Sequence, residues 1–175
     1  MFEDVISMLE PGERLIWSGR PLLKPFVLKR LSGLIIPIVF IVFSTSFTPF
    51  FTTGWTMPLV SFFILWFGIL GFMLFLSSIY PLLLWRNLYY VLTDKRMIVR
   101  KGVLGIDYDI LDLKYIQQIN VNVGVWDKFY GTGTVIIQAI GVSPVSLQSV
   151  PNPLNVQKII KAAAEARKST EALRS

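Results

Sequence analysis

The sequence predicts a two-helix transmembrane hairpin followed by a small, mainly-β domain that a C-terminal α-helix closes. Three observations lead to this prediction. The stretch from Leu31 to Trp85 contains no Asp, Glu, Lys or Arg and is rich in large apolar residues. After it, short runs of residues alternate between the two faces of a strand, as in a sheet. An apolar stripe with helical spacing follows near the C-terminus.

The composition excludes several classes of function. The chain of 175 residues has no Cys and no His, which removes disulfides, thiolate nucleophiles, the commonest general base and the commonest metal ligands. We therefore predict no enzyme, no catalytic residue, no metal site and no cofactor. The net charge of +6 is modest, and the basic residues cluster beside the apolar stretch instead of along one helix or strand. Nucleic acid is therefore not a predicted partner.

Residues 1–30 form the predicted cytoplasmic N-terminal segment. Their acidic residues and their lack of an apolar core disfavour a signal peptide. Four apolar residues at helical spacing predict a short amphipathic helix that ends at Pro11-Gly12, namely Phe2, Val5, Ile6 and Leu9. An extended run from Glu13 to Pro21 follows. Three cations then form a basic collar, interpreted chiefly as a topology signal and alternatively as a contact with anionic lipid: Lys24, Lys29 and Arg30.

Residues 31–85 form the predicted hairpin, with spans at about 31–51 and 57–84. One crossing needs about 20 apolar residues, so two crossings fit. Pro37 is expected to kink the first span. The second span is longer than the bilayer core, so it must tilt, emerge from the bilayer or break near Pro81. Residues 48–56 read as the turn, where Phe50, Phe51 and Trp55 suit an interfacial aromatic belt.

The orientation follows from the distribution of positive charge. The predicted turn carries none, whereas both flanks are basic. The positive-inside rule therefore places both termini in the cytoplasm and predicts a multi-pass protein of the cell membrane. The flanking cations are Lys24, Lys29, Arg30, Arg86, Lys95, Arg96, Arg100 and Lys101.

Residues 87–168 form the predicted cytoplasmic domain. Six or seven short strands are expected up to Val150, at the spacing of a barrel or sandwich, and the first two should form a hairpin with its turn at residues 93–96. Residues 126–130 read as an aromatic-rich loop, and residues 131–133 as a turn. Gly131 and Gly133 are expected to supply positive φ or a close backbone approach.

The domain is expected to end in a helix. Asn152 is a suitable N-cap, and Pro153 suits the first helical position. Apolar residues recur with helical spacing at Val156, Ile159, Ile160 and Ala163. The helix is expected to fray after about Lys168, which leaves residues 169–175 as a tail.

Several motifs resemble a known family. The run YVLTDKRMI at residues 90–98 resembles the Y-x-L-T-[DN]-x-R-[IL] hairpin of the bacterial pleckstrin-homology-like (PH-like) domain family, and FYGTGTV at residues 129–135 resembles its G-T-G-T-[VI] segment. NPLNV at residues 152–156 is similar to the start of its closing helix. PGERLIWSGRP at residues 11–21 is similar to the lead-in of the membrane-anchored, YdbS-like branch, in which two transmembrane helices precede the domain. The resemblance implies a PH-like barrel of about seven strands, capped by a helix, and supplies no catalytic residues.

Two functions follow as expectations. The first is a membrane-anchored binding or scaffolding module, in which a groove or sheet edge of the PH-like domain takes a peptide or partner protein. The alternative is recognition of anionic phospholipid headgroups by cations beside the membrane. The candidate residues for that contact are Arg86, Lys95, Arg96, Arg100 and Lys101.

Other functions have less support. An enzyme or metal site would have to use the acidic residues Asp94, Asp107, Asp109, Asp112 and Asp127. Asp107 and Asp109 share a strand face, and alternating Asp residues are typical of the solvent-exposed face of a strand. A phosphate cradle at residues 131–134 lacks a lysine and a following helix. A channel is disfavoured because neither span holds a charged residue, although an oligomer of hairpins could form a pore. A homo-oligomer is a possible state of the protein.

Overall fold

A computed structural model describes residues 9–46 and 57–173 of the chain. The strands within them are β1 (Leu15–Gly19), β2 (Tyr89–Thr93), β3 (Arg96–Lys101), β4 (Asp107–Asp112), β5 (Ile116–Asn122), β6 (Thr132–Ala139) and β7 (Val145–Pro151). The helices are α1 (Leu23–Leu31), α2 (Ile35–Ser46), α3 (Met57–Asn87), α4 (Val125–Tyr130) and α5 (Pro153–Ala172), with 3-10 turns at Ser32–Leu34 and Leu113–Tyr115. Residues 1–8, which hold most of the predicted N-terminal helix, and residues 47–56, which hold the predicted turn and its aromatic residues, lie outside the described part.

The strands form two antiparallel sheets, one in the order β1-β2-β3-β4 and one in the order β5-β6-β7. The predicted barrel is not closed, because no ladder joins the two sheets in the part of the chain that the structure describes. The chain leaves the first sheet at Asp112, whose side chain accepts a hydrogen bond from the Lys114 amide at 3.1 Å. This bond caps the 3-10 turn that redirects the backbone into the second sheet.

The predicted β2–β3 hairpin is confirmed, with Tyr90 opposite Val99 and Leu92 opposite Met97. Its turn is stabilised by Thr93, whose hydroxyl oxygen accepts hydrogen bonds from the Lys95 and Arg96 amides. Thr93 lies at the end of β2, and its hydroxyl oxygen is the acceptor for these two amides of the turn.

The N-terminal segment belongs to the first sheet. Residues 15–19 form β1, which pairs antiparallel with β2, so that Ser18 lies opposite Val91 and Gly19 opposite Tyr90. The sequence indicates an extended run here but gives no strand partner. The two sheets and α5 thus enclose a core that also takes in Phe26 from α1.

The core lies between the two sheets and under α5. Tyr90 and Leu92 from the first sheet meet Ile137 and Leu147 from the second, and the stripe of α5 covers them with Ile160. The Tyr90 hydroxyl is fully buried, and it accepts a hydrogen bond from the Gln148 amide at 2.9 Å and donates one to the Gln148 carbonyl oxygen at 3.2 Å. Burial raises the pKa of this phenol above its ordinary value, so it stays protonated and able to donate.

Two local predictions in the second half of the chain are wrong. The predicted loop at residues 126–130 is the short helix α4, because the buried carboxylate of Asp127 caps it by accepting a hydrogen bond from the Gly124 amide at 3.1 Å. The last helix continues past Lys168 to Ala172, where Arg167 and Glu171 form an i,i+4 ion pair. Asn152 does precede this helix, but it has positive φ and makes no side-chain cap.

Two stretches of helix are long and apolar enough to cross a membrane, at Leu23–Phe43 and Leu65–Asn87. Pro37 lies in the first turn of α2, and the helical path changes just before it, at the 3-10 turn Ser32–Leu34. The helix α3 passes through Pro81 without a break. The indole Nε1 of Trp85 donates a hydrogen bond to the Pro21 carbonyl oxygen at 2.7 Å, which joins the end of α3 to the start of α1.

Candidate functional site

A groove runs along the free edge of β4. This strand pairs with β3 and is the last of its sheet, so one side of its backbone has no neighbouring strand among the described residues. The wall opposite this edge comes from the β6–β7 turn, including Ile140 and Val142. An unpaired strand edge presents a row of peptide N–H and C=O groups that can pair with another extended chain.

Two adjoining cavities make up this groove. The larger, of about 560 Å³, lies at the end of β4 near the β2–β3 turn, and the smaller, of about 430 Å³, lies towards the start of the strand. They share Ile110, Leu111 and Val142. The groove is therefore continuous along β4, whose six residues span roughly 20 Å.

The surface of the groove combines apolar and charged side chains. Four apolar side chains are exposed along it, namely Ile110, Tyr115, Ile140 and Val142. Ile110 follows Asp109 and precedes the buried Leu111, so it stands on the outer side of the strand. A run of exposed apolar side chains beside a free strand edge is typical of a peptide-binding surface.

Arg167 supplies a polar group at the larger cavity. Its Nη2 forms an ion pair with Glu171 at 3.3 Å, and its guanidinium is mostly buried. Its Nε is buried and has no hydrogen-bond acceptor among the described residues. A buried N–H without an acceptor is costly, so the Arg167 guanidinium beside this cavity keeps hydrogen-bonding capacity that the described residues do not use.

Lys95 and Arg96 also border the larger cavity, where carboxylates of the N-terminal segment bind them. Arg96 donates hydrogen bonds to both carboxylate oxygens of Glu13, from Nε at 3.0 Å and from Nη2 at 2.9 Å, and Lys95 contacts Glu10 at 2.9 Å. Burial alone would raise the pKa of Glu13, but the hydrogen bonds from Arg96 and Thr93 outweigh it and hold that pKa below its ordinary value. Glu13 therefore stays ionised in the folded protein.

The five predicted headgroup residues do not form one surface. Arg100 lies opposite Tyr89, and the Asn87 side chain donates to the Gly102 carbonyl oxygen at 3.1 Å. Arg86, Arg100 and Lys101 are thus at the end of the hairpin next to α3. Lys95 and Arg96 are at its other end, and β2 separates the two groups by five residues, or roughly 16 Å.

The ionic partners of these residues are also intramolecular. Lys101 forms an ion pair with Asp109 across the β3–β4 pair. Arg100 is almost fully buried, whereas Arg86 is exposed at the end of α3. A sequence cannot show such pairings, because each cation and its carboxylate come from different strands or from segments that are far apart in the chain.

The basic collar is built into the domain at two of its three positions. Lys29 donates from Nζ to Asp127 Oδ2 at 3.2 Å and to Thr134 Oγ1 at 3.0 Å. Arg30 donates to Gln148 Oε1 at 3.3 Å and lies over the ring of Phe26. Lys24 is exposed.

The acidic residues have structural partners. Asp94 accepts a hydrogen bond from the Arg14 amide, and Asp127 accepts from Thr132, Gly124 and Lys29. Within residues 9–46 and 57–173, no three acidic side chains form a group that could hold a metal. Gly131 and Thr132, from the predicted phosphate cradle, end α4 and begin β6.

Comparison with known proteins gives the family. The model of the bacterial PH domain family matches residues 22–164, which is most of the chain. The chain belongs to the bacterial PH domain family. A search among curated proteins finds no match.

The PH domain also has a distant likeness among solved structures. The crystal structure of a DUF1696 family protein with a pleckstrin-homology domain from Shewanella loihica PV-4 is 21% identical, with a TM-score of 0.36, over 44% of this chain and 70% of that chain. This likeness is too remote to carry an argument about function. Family membership indicates a binding or scaffolding module, since PH-like domains are generally non-catalytic.

Proposed function

We propose that this protein is a membrane-anchored binding module that takes an extended segment of a partner protein along the free edge of β4. The observation that carries the proposal is the continuous groove beside the unpaired edge of β4, with exposed apolar side chains along it. In this proposal, residues 31–85 anchor the protein in the membrane, and residues 87–168 bind the partner. We also propose that the protein is a member of the YdbS-like branch of the family.

The anchor is supported by the exposure of the two candidate spans. Only 6% of the residues in each span's most apolar window are buried, whereas a core helix of a soluble domain buries its apolar face. Exposed Phe40 and Phe43 on α2, and Phe72 and Phe75 on α3, would be unfavourable in water and favourable in lipid. The basic flanks support cytoplasmic termini.

The mode of binding is supported by the shape and chemistry of the groove. An extended segment next to β4 would form main-chain hydrogen bonds with its free edge, and alternate side chains would contact Ile110 and Val142. Near the far end of the groove, a carboxylate or carbonyl oxygen of the segment would accept a hydrogen bond from the part of the Arg167 guanidinium that stays in contact with solvent. The preferred ligand is therefore an extended peptide with apolar residues at alternate positions and an acceptor at one end.

A peptide selected from a random library against the detergent-solubilised full chain tests the proposal. We expect the bound peptide to slow amide hydrogen exchange of residues 107–112. Ile110→Glu combined with Val142→Glu should weaken binding by about tenfold or more, because each removes an apolar contact from the centre of the groove. Leu173→Glu is the matched control, since Leu173 is equally apolar, is exposed and lies at the end of α5.

Two results would contradict the proposal. Protection confined to another surface would place the site elsewhere, and unchanged binding by the groove variant would exclude the β4 edge. Pairing of β4 between two copies would slow the same amides without any peptide, so the oligomeric state is measured first. The headgroup alternative through Lys95, Arg96 and Lys101 has less support, because each has an intramolecular carboxylate partner.

A further inference from the structure

We propose that α4 and the start of α5 form a second, peripheral contact with the membrane, in which Phe129 inserts among the lipid headgroups. This inference rests on the proposed anchoring, because it needs the chain to enter the bilayer after Arg30. It concerns a surface that none of the predicted site residues and none of the groove residues belong to.

The surface of α4 is unusually apolar. Phe129 is 78% exposed and Val125 is 71% exposed, although α4 is only one and a half turns long. On the neighbouring start of α5, Leu154 is 63% exposed and lines, with Val123, a cavity of about 630 Å³. Exposed side chains of this size are costly in water when they lie together.

The charges around this apolar surface are positive. Lys128 and Lys158 are exposed and line the cavity. The acidic residue in that lining, Asp127, has a fully buried carboxylate whose charge is compensated by Lys29. Phenylalanine and leucine flanked by lysine are typical of segments that lie in the interface of an anionic membrane, where lysine reaches phosphate and the apolar side chains enter the acyl boundary.

The position of α4 makes the bilayer the expected partner. Lys29 lies two residues before Leu31, where the charge-free stretch begins. Its Nζ contacts Asp127 Oδ2 and Thr134 Oγ1, so the ion pair holds α4 beside the chain where that chain enters the membrane. The exposed residues Val125 and Phe129 are each two positions from Asp127, so they lie within about 3 Å of it along the axis of α4 and close to this ion pair.

The absence of cysteine from the sequence allows a direct test with single labels. Phe129→Cys would carry an environment-sensitive fluorophore in the full chain, reconstituted in vesicles of phosphatidylcholine and phosphatidylglycerol. Leu173→Cys is the control, because Leu173 is also apolar and exposed but lies at the other end of α5. We expect a blue-shifted emission that nitroxide-labelled lipids quench at position 129, and neither effect at position 173.

Charge reversal extends the test. Lys128→Glu combined with Lys158→Glu should shift the emission at position 129 back towards that of the control in these anionic vesicles. Equal emission at positions 129 and 173 would overturn the proposal. A blue shift without lipid quenching would also overturn it, because the surface would then be covered by a second copy of the protein.

A separate measurement tests whether the predicted hairpin crosses the membrane. Thr53→Cys, in the predicted turn, should react with a membrane-impermeant reagent only from the side opposite the PH domain. If this pattern fails, the proposed anchoring is wrong. If it holds while position 129 remains in water, only the peripheral contact is wrong.

Discussion

At the scale of single residues, buried carboxylates determine how the N-terminal part of the chain attaches to the PH domain. Glu13 holds the β2–β3 turn through Arg96, and Asp127 holds α1 through Lys29. Both carboxylates have fully buried side chains, whereas their cationic partners keep some contact with solvent. Such groups are costly to leave without partners.

Removal of the Glu13 carboxylate should destabilise the protein far more than removal of its neighbour. Glu13→Ala removes a buried acceptor of hydrogen bonds from Arg96 and Thr93, and we expect a loss of about 2 kcal/mol in the free energy of unfolding. Glu10→Ala removes exposed ion pairs with Lys95 and Arg96 and should cost much less. Denaturant unfolding of the full chain in detergent measures both. Equal losses for the two variants would show that the buried Glu13 carboxylate stabilises the protein no more than the exposed Glu10 carboxylate.

Asp127 should make the stability depend on pH. Burial alone would raise its pKa, but hydrogen bonds from Thr132, Gly124 and Lys29 outweigh it and lower that pKa below the ordinary value of 3.8. The unfolded chain therefore takes up a proton first, and the stabilisation by this carboxylate is present above about pH 4 and is lost as the pH falls through the lower, folded-state pKa.

Asp127→Asn should lack this contribution. The difference in melting temperature between the original protein and this variant should be largest near neutral pH and should shrink as the pH falls below about 4. Thermal unfolding of both proteins in detergent, between about pH 6 and about pH 3, measures it. A difference that stays constant over this range would exclude an ionised Asp127 as the stabilising group.

At the scale of elements, a close contact between β6 and α5 explains one of the glycines. A Cβ atom on Gly133 would lie 2.7 Å from Cγ of Pro153 and 3.2 Å from the Asn122 carbonyl oxygen. The predicted close approach at Gly133 and the predicted positive φ at Gly131, which is 63°, are both confirmed. The helix can therefore begin directly over the strand only because residue 133 has no side chain.

Gly133→Ala should destabilise the PH domain by about 1–3 kcal/mol, because the added methyl group forces Pro153 and β6 apart. Gly105→Ala is the control, since a Cβ atom there meets nothing within 4 Å. The control should unfold like the original protein. Urea unfolding of both variants measures the difference, and a neutral Gly133→Ala would mean that α5 shifts at little cost.

At the scale of the whole molecule, the PH domain is assembled from both sides of the predicted hairpin. β1 pairs with β2, and Phe26 from α1 is 2% exposed in the core. The Leu22 amide also donates to the Ser149 carbonyl oxygen at 3.0 Å. The domain that follows the hairpin in sequence therefore depends on residues that precede it.

A fragment that begins at Asn87 should not fold cooperatively. It loses the β1 ladder and the buried Phe26, whose burial alone is worth about 1.5–3 kcal/mol. We expect it to bind a hydrophobic dye and to lack a sharp unfolding transition. A chain in which a flexible linker replaces residues 35–80, and which keeps β1 and α1, should regain both properties. A fragment that folds as well as the linked chain would contradict this dependence.

Predictions from the sequence were accurate where a local pattern of residues decides the structure. The alternation at residues 88–92, the hairpin turn at Thr93 and the stripe from Val156 to Ala163 each give a period that one element alone explains. The predictions failed at α4, where a buried cap at Asp127 outweighs a loop-like composition, and at the barrel, where the 3-10 turn after Asp112 separates the sheets. The predicted headgroup residues were chosen because they are close in sequence to the apolar stretch. Proximity in sequence does not show that Glu13 reaches Arg96.

The sequence by itself determined the two apolar helical stretches, the order of most strands and the family, because hydrophobic periodicity and short motifs are properties of adjacent residues. Only the tertiary structure decided which strand edge is free, which cations are neutralised and where the apolar surface of α4 lies. These features arise from contacts between segments far apart in the chain, such as Lys29 with Asp127. Their free energies depend on burial and distance, which no local pattern of residues specifies.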